Sequence, residues 1–373
     1  MLATTASNEG GLAMPKITRR AMILGFWAML TTVVAAFLFF RWRTLAHMFW
    51  RPSGPAREPV GPAPEASGLA EQKERNRVVL LTGGAPEPMV EEALTRLNAA
   101  ETLAVKGKKV LVKPNVVSGT PAPTTTSPEV VRAVCTWLKR QGAATVWVGD
   151  MSAVMVLGTE RNMRDCGIAA AAREAGATPV YFEDHGWVNV KLPGARYIKE
   201  VPVSEFVANA DLVINLPVIK SHRWATYSVC MKNFVGATHG RYRPYMIDRD
   251  HWEELVAELN LAYRPALNIA DGTKVMYSGG PWRGDEAPLG LLLAGYDRVA
   301  CDAVAVALMK TFPLTHERIA DRRVWDQKQL RHSREIGLST ASAESLDLSI
   351  AHLSPPAVAL TTRLDQLRNL LQA

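Results

Sequence analysis

Hydrophobic and polar positions divide the chain into three stretches of different character. Residues 21–40, AMILGFWAMLTTVVAAFLFF, carry no charge. About 20 apolar residues at 1.5 Å rise span the hydrocarbon core of a bilayer, so this stretch predicts a transmembrane anchor. Residues 51–76 begin with a proline- and glycine-rich segment, RPSGPAREPVGPAPEASGLA. Such a composition favours an extended tether over helix or sheet. From Arg77 onward, apolar runs of strand length alternate with segments of helical period.

In that third stretch the runs at 78–81, 109–112, 145–148, 178–182, 211–215, 266–269, 289–293 and 346–350 predict strands. Helical patterns fall at 89–104, 128–140, 162–175, 252–261 and 299–309. Ser127-Pro128-Glu129 is a strong helix start, with a capping serine, proline at the first helical position and an acidic first turn. Residues 188–192 read as an excursion from the main pattern, and no internal repeat is present. Strands separated by helices predict an α/β domain over residues 77–353, a doubly wound and mostly parallel sheet flanked by helices. Residues 354–373 form a C-terminal tail or helix.

The apolar run at 21–40 is longer than the usual secretory h-region, and no small-x-small cleavage site follows it, which favours an uncleaved anchor. Residues 1–20 precede it, and Thr18-Arg19-Arg20-Ala21-Met22-Ile23-Leu24 resembles a twin-arginine export signal, with Met22 in place of the usual Phe. Basic residues flank both ends of the run, so loop charge hardly discriminates the orientation. The arginine pair favours an α/β domain on the extracytoplasmic side.

Charge adds a constraint. The net charge is +7 and the pI about 9.3, compatible with nucleic acid, a membrane surface or an anionic small molecule. Nucleic acid is disfavoured, because zinc-finger spacing, Lys/Arg-rich runs and aromatic-basic RNA-binding motifs are absent. The 4 cysteines, Cys135, Cys166, Cys230 and Cys301, stand far apart, without zinc or iron–sulfur spacing and too sparse for a disulfide framework. Cys135 and Cys301 fit core positions. Cys230, beside Lys232, is the thiol whose charged neighbour favours a thiolate, although a buried structural role is preferred.

The candidate chemistry concentrates in residues 211–243, DLVINLPVIKSHRWATYSVCMKNFVGATHGRYR. No carboxylate occurs from Leu212 to Ile247, while Lys220, His222, Lys232, His239, Arg241 and Arg243 all fall there, interleaved with Asn215, Ser221 and Asn233. In open α/β sheets ligands bind beyond the carboxyl ends of strands, so this cationic set predicts a seat for an anionic ligand. The bland alternative is a solvated basic loop. Strand ends elsewhere deliver Lys113 and Asn115, Asp150, and Asp271. Lys113, Asn115, Asn215, Lys232, Asn233, His239 and Arg241 are the candidate ligand-binding residues. His222 is the candidate acid or base, with Lys220 beside it as a catalytic candidate. Asp150 and Asp271 are candidate ligands of a divalent metal, with turn chemistry as the alternative. Asp302 fits helix capping better than metal binding, and the spacing of His222, His239 and His251 fits no zinc motif. Phosphate-loop, dinucleotide and nucleophile-elbow signatures are all absent.

The segments VLVKPNVV, TTTSPEVVRAV, VGD, ADLVINLPVIKSH, MKNFVGA, ADGTKVMYSGGPWRG and YDRVACDAVAVAL, in this order and spacing, resemble the bacterial and archaeal "domain of unknown function 362" family over residues 109–338. The resemblance implies the fold and the site location. It implies no reaction, since no general activity is established for the family. Export signals often precede its members, which agrees with Arg19-Arg20. Some members carry a ferredoxin-type iron–sulfur module, whose cysteines this chain lacks. Two readings follow. One is a membrane-anchored enzyme or ligand-handling protein with a cationic strand-end cleft. The other is a non-catalytic anchored partner docking an acidic protein or lipid head group, with Trp187, Trp224, Trp252 and Trp282 on an exposed contact face.

Overall fold

The structure is a computed structural model and describes residues 18–49, 56–57 and 72–373. Its strands in chain order are β1 (Ala56–Arg57), β2 (Arg77–Thr82), β3 (Lys109–Pro114), β4 (Thr145–Asp150), β5 (Thr178–Tyr181), β6 (Trp187–Lys191) and β7 (Glu200–Ser204). They continue with β8 (Leu212–Leu216), β9 (Val218–His222), β10 (Thr226–Ser228), β11 (Leu267–Met276), β12 (Glu286–Ala287), β13 (Leu291–Gly295) and β14 (Asp347–His352). The main sheet has the order β14-β2-β13-β11-β8-β3-β4-β5, with β9, β10 and β12 extending from β11. Its pairs are parallel except those made by β13, which runs antiparallel to β2 and β11 along this path. The sheet is mostly parallel, with helices flanking it.

Both faces are covered, which explains the continuous apolar runs. In β2, Val78 and Leu80 join one buried cluster while Val79 and Leu81 join the other. In β8, Val213 faces the first cluster and Leu212, Ile214 and Leu216 the second. Alternate residues of a strand point to opposite faces, so a strand buried on both sides cannot show a polar period.

Two expected helices are broken in the fold. The 89–104 pattern becomes Pro86–Arg96 and Ala99–Leu103, separated at Asn98 with φ 50°. The 162–175 pattern becomes Thr159–Asp165 and Ile168–Glu174, separated at Gly167 with φ 82°. The left-handed conformation at both points ends one helix and starts the next. The 188–192 excursion is β6, paired antiparallel with β7 in a separate 3-stranded sheet. Its third strand is β1, where Ala56 and Arg57 pair in parallel with Asn189 and Val190. Part of the expected tether is therefore sheet, and Gln72–Arg75 is a short helix. The other residues of 51–71, and residues 1–17 of the N-terminal tail, lie outside the described residues. The C-terminal segment is a helix, Val358–Gln372, burying Leu364, Leu367 and Leu371 against the core.

The N-terminal helix, α1, runs from Arg19 to Phe49, with the arginine pair in its first turn. Among the described residues no helix is long and apolar enough to cross a membrane, which differs from the expectation for residues 21–40. The described side chains of α1 from Met22 to Leu38 are exposed, with Leu24 at 63% and Met29 at 69%. The side chains of Ala21, Phe39 and Phe40 lie outside the described residues. The last turns of α1 dock on the domain. Thr44 Oγ1 donates to the Val154 carbonyl at 3.2 Å, and the His47 ring lies 4.7 Å from that of His239.

Candidate functional site

Pairing register brings the first polar groups together. Lys113, near the end of β3, sits beside Asn215 of β8, and Asn215 sits beside Asn268 of β11. β4 ends on Asp150. After β8 comes Pro217, which has no N–H for the ladder. The chain there swings into β9, which pairs with β10 and the far half of β11 and carries Lys220 and His222. The short helix Cys230–Asn233 then adds Lys232 and Asn233.

Asparagine amides link these elements into one floor. Asn115 Nδ2 donates to Asn233 Oδ1 at 3.1 Å, Asn233 Nδ2 to Asn215 Oδ1 at 2.8 Å, and Asn215 Nδ2 to Asn268 Oδ1 at 2.9 Å. Asn268 ends the chain on the Gly295 and Tyr296 carbonyls. Such a buried network is rigid only when every member is satisfied, and these amides are.

The cations differ in how they are balanced. Lys113, fully buried, pairs with Asp150 Oδ1 at 2.7 Å, and Asp150 Oδ2 accepts the Val116 N–H at 2.7 Å. Gly236 packs directly on this pair, and a Cβ there would fall 2.1 Å from Asp150 Oδ1. Lys220 donates to Asn115 Oδ1 at 2.8 Å and the Thr124 carbonyl at 2.6 Å, with no carboxylate partner among the described residues. Arg243 is buried and directs its guanidinium at the carbonyls of Met151 and Ser152, both at 2.9 Å, and of Thr238. The Lys232 ammonium makes no hydrogen bond or ion pair among the described residues.

Electrostatics follow from this imbalance. Burial lowers the Lys113 pKa, an effect that Asp150 opposes. Burial, reinforced by the Lys232 charge, holds Lys220 well below the ordinary lysine range. Burial and the neighbouring Arg243 and Lys113 charges bring Lys232 down to about 7. His222 Nδ1 accepts the N–H groups of Trp224 and Ala225, each at 3.2 Å, which leaves the ring hydrogen on Nε2. Burial, then Lys232 and Lys220, hold the His222 pKa well below 6.5. A neutral Nε2–H imidazole is suited to hydrogen-bond donation more than to proton abstraction.

Above the floor opens a cavity of about 680 Å³. Asn115, Asp150, His222, Lys232, Asn233 and Arg243 contribute to its lining. Its aromatic wall holds Trp224 and Trp252, stacked at 5.7 Å and 6°, and Trp282, edge-on to Trp224 at 6.4 Å. Lys113, Lys220 and Asn215 support the lining from beneath.

Other candidates lie apart from this floor. His239 and Arg241 belong to the docking of α1. The His239 ring packs on His47 and Trp187, and Arg241 donates to the Phe49 carbonyl at 3.2 Å. Asp271 ties the main-chain N–H of Ser127, at 2.8 Å, to Thr273. Ser127 consequently makes no side-chain cap, its hydroxyl bonding Thr273 Oγ1 instead. Asp150 and Asp271 thus use both carboxylate oxygens on protein donors. Among the described residues no group of three His, Cys, Asp or Glu side chains gathers.

Asp302 caps a helix, but not its own. It accepts the N–H groups of Cys230 at 2.6 Å and Met231 at 3.2 Å, fixing the helix that carries Lys232, while Asp297 caps its own helix. Burial pushes the Asp302 pKa up to about 7. All 4 cysteines are buried, and burial raises the Cys230 thiol, in line with the buried structural role preferred for it. Asn268, Gly236 and the catch made by Asp302 were absent from the candidate residues. Arg243 stood in the carboxylate-free run, and Asn268 was signalled by a lone amide within an apolar strand.

Comparison with known proteins places this site in context. Residues 110–307, over half of the chain, match the family described as domain of unknown function (DUF362). The thylakoid-associated protein sll1697 of Synechocystis sp. is 29% identical over 222 residues. That alignment covers 56% of this chain, and the chain spans 65% of the length of that relative. Among solved structures, the lactate racemase apoprotein from Thermoanaerobacterium thermosaccharolyticum is similar with a TM-score of 0.40 and 15% identity, covering 62% of this chain and 58% of that one. The cationic floor, from Lys113 to Arg243, lies wholly within the matched segment, and the chain belongs to the DUF362 family.

Proposed function

We propose that this protein binds a small oxyanion in the strand-end cleft, held at a membrane by residues 21–40. The observation that carries the reading is the Lys232 ammonium. It lines a cavity, has no partner among the described residues, and stands near two further cations, Lys220 and Arg243, that also lack carboxylates. Lys232 is partly buried; an uncompensated charge in such a place is costly, and a bound anion is the simplest group that offsets it. Asn115 and the Nε2–H of His222 add neutral donors at the same cavity. A concave cavity of this size suits a small molecule better than a flat docking face would. The exposed, uncharged and mostly apolar side chains of α1 from Met22 to Leu38 support membrane attachment, and the relative's thylakoid association is consistent with it.

The anion reading is tested by thermal shift of the full chain in detergent across phosphate, sulfate and small carboxylates. At least one anion is expected to stabilise the wild type and to lose that effect in Lys232→Met. Stabilisation of equal size in both proteins would contradict it.

A further inference from the structure

Resting on the anion reading, we infer that the ligand is amphipathic: an oxyanion head on the Lys232 floor, joined to a bulky apolar group that lies on the tryptophan wall. A bare inorganic anion uses the floor alone and leaves the wall without a purpose. Trp224 is 43% exposed and Trp282 38% exposed, so core packing does not explain either ring. Both line the same cavity as Lys232. Trp252, stacked on Trp224, completes the wall.

The wall is built, and it is fixed to the floor. Trp282 follows the turn at Gly279 and Gly280, with φ 72° and 71°. A Cβ at Gly280 would come within 2.1 Å of the Ser221 carbonyl, so only glycine lets this turn pack against β9. Thr124 then joins the two parts. Its Oγ1 donates to the Trp282 carbonyl at 3.1 Å, and its own carbonyl accepts from Lys220 Nζ at 2.6 Å. Apolar surface on aromatic rings, set beside polar donors fixed in orientation, is how small-molecule sites combine affinity with specificity.

The probes are inorganic phosphate, naphthyl phosphate and octyl phosphate, titrated by calorimetry into the full chain in nanodiscs, with Lys232→Met nanodiscs as the partition control. The two organic phosphates are expected to bind about tenfold or more tightly than phosphate, from apolar burial and ring contact. Preference for the naphthyl compound would identify a ring as the apolar group, and preference for the octyl compound a chain. In the double variant Trp224→Ala/Trp282→Ala the gain should vanish while affinity for inorganic phosphate stays, which shows the floor still folded. Equal affinity for all three phosphates, or a gain that survives in the double variant, overturns this inference and leaves the anion reading standing. No binding of any phosphate overturns this inference, and binding indifferent to Lys232→Met overturns both.

Discussion

At the scale of single residues, the site is defined by contrast between two lysines. Lys113 is buried and paired, while Lys232 lines the cavity unpaired. Replacing Asp150 with Asn leaves Lys113 buried without its counter-charge. Breaking one partner of a buried pair costs about 3–5 kcal/mol, so chemical denaturation should register a loss of that order. Gly236→Ala should act on the same pair, since its Cβ would fall 2.1 Å from Asp150 Oδ1. Lys232→Met should do the opposite. It removes an unbalanced cation, so the unliganded protein should hold or gain stability while anion affinity is lost; a large destabilisation would mean Lys232 is a structural residue. The pH dependence has a definite sign. With the free Lys232 pKa at about 7, a rise in pH through that value removes its charge and weakens anion binding, whereas binding below it is strongest. In the unfolded chain Lys232 titrates near 10.5, so between about 7 and 10.5 the unfolded state holds more protons and stability from this group rises with pH.

At the scale of elements, the site depends on the short helix Cys230–Asn233, too short to be stable alone. Asp302 and Asn260 hold it, through the Cys230 and Met231 N–H groups and the Met231 carbonyl. Asp302→Ala should therefore lower anion affinity without touching the cavity, and stability should fall through loss of two hydrogen bonds to a buried carboxyl; unchanged affinity would show the helix to be held by its other contacts. The strands were legible in the sequence because a sheet buried on both faces demands unbroken apolar runs, and the polar residues that end those runs mark the rim. The helix breaks at Asn98 and Gly167 were not, because each left-handed residue sits inside an otherwise regular helical pattern. The roles of Asp271 and Asp302 were hidden for another reason. Each accepts from main-chain groups far away in sequence, Ser127 and Cys230, and no local pattern encodes such a partner. His239 and Arg241 shared the charge pattern of the site, yet the 3-10 turn at Gly240–Tyr242 directs them to α1. Gly240 is part of that fit, as a Cβ there would meet the His47 carbonyl at 2.9 Å.

At the scale of the whole molecule, α1 and the cleft are joined at one edge. Thr44 donates to Val154, and Val154 lines the cavity. An anchor docked there would keep the cleft near the membrane surface. The chain is expected in the membrane fraction; its recovery in the soluble fraction would contradict the attachment proposed for residues 21–40. Treatment with chelator should leave anion affinity unchanged, because Asp150 and Asp271 already engage protein donors through both oxygens. Affinity lost on chelation and restored by a divalent metal would return those aspartates to the binding machinery. The Lys232 ammonium is the group in the cleft that awaits a counter-charge. Its most direct test is the pKa of Lys232 itself, read by NMR of the lysine-labelled full chain and assigned against Lys232→Met. The predicted result is titration near 7 in the free protein, moving upward when the anion found by thermal shift is bound. A value close to 10.5 that does not move with any anion would contradict the account.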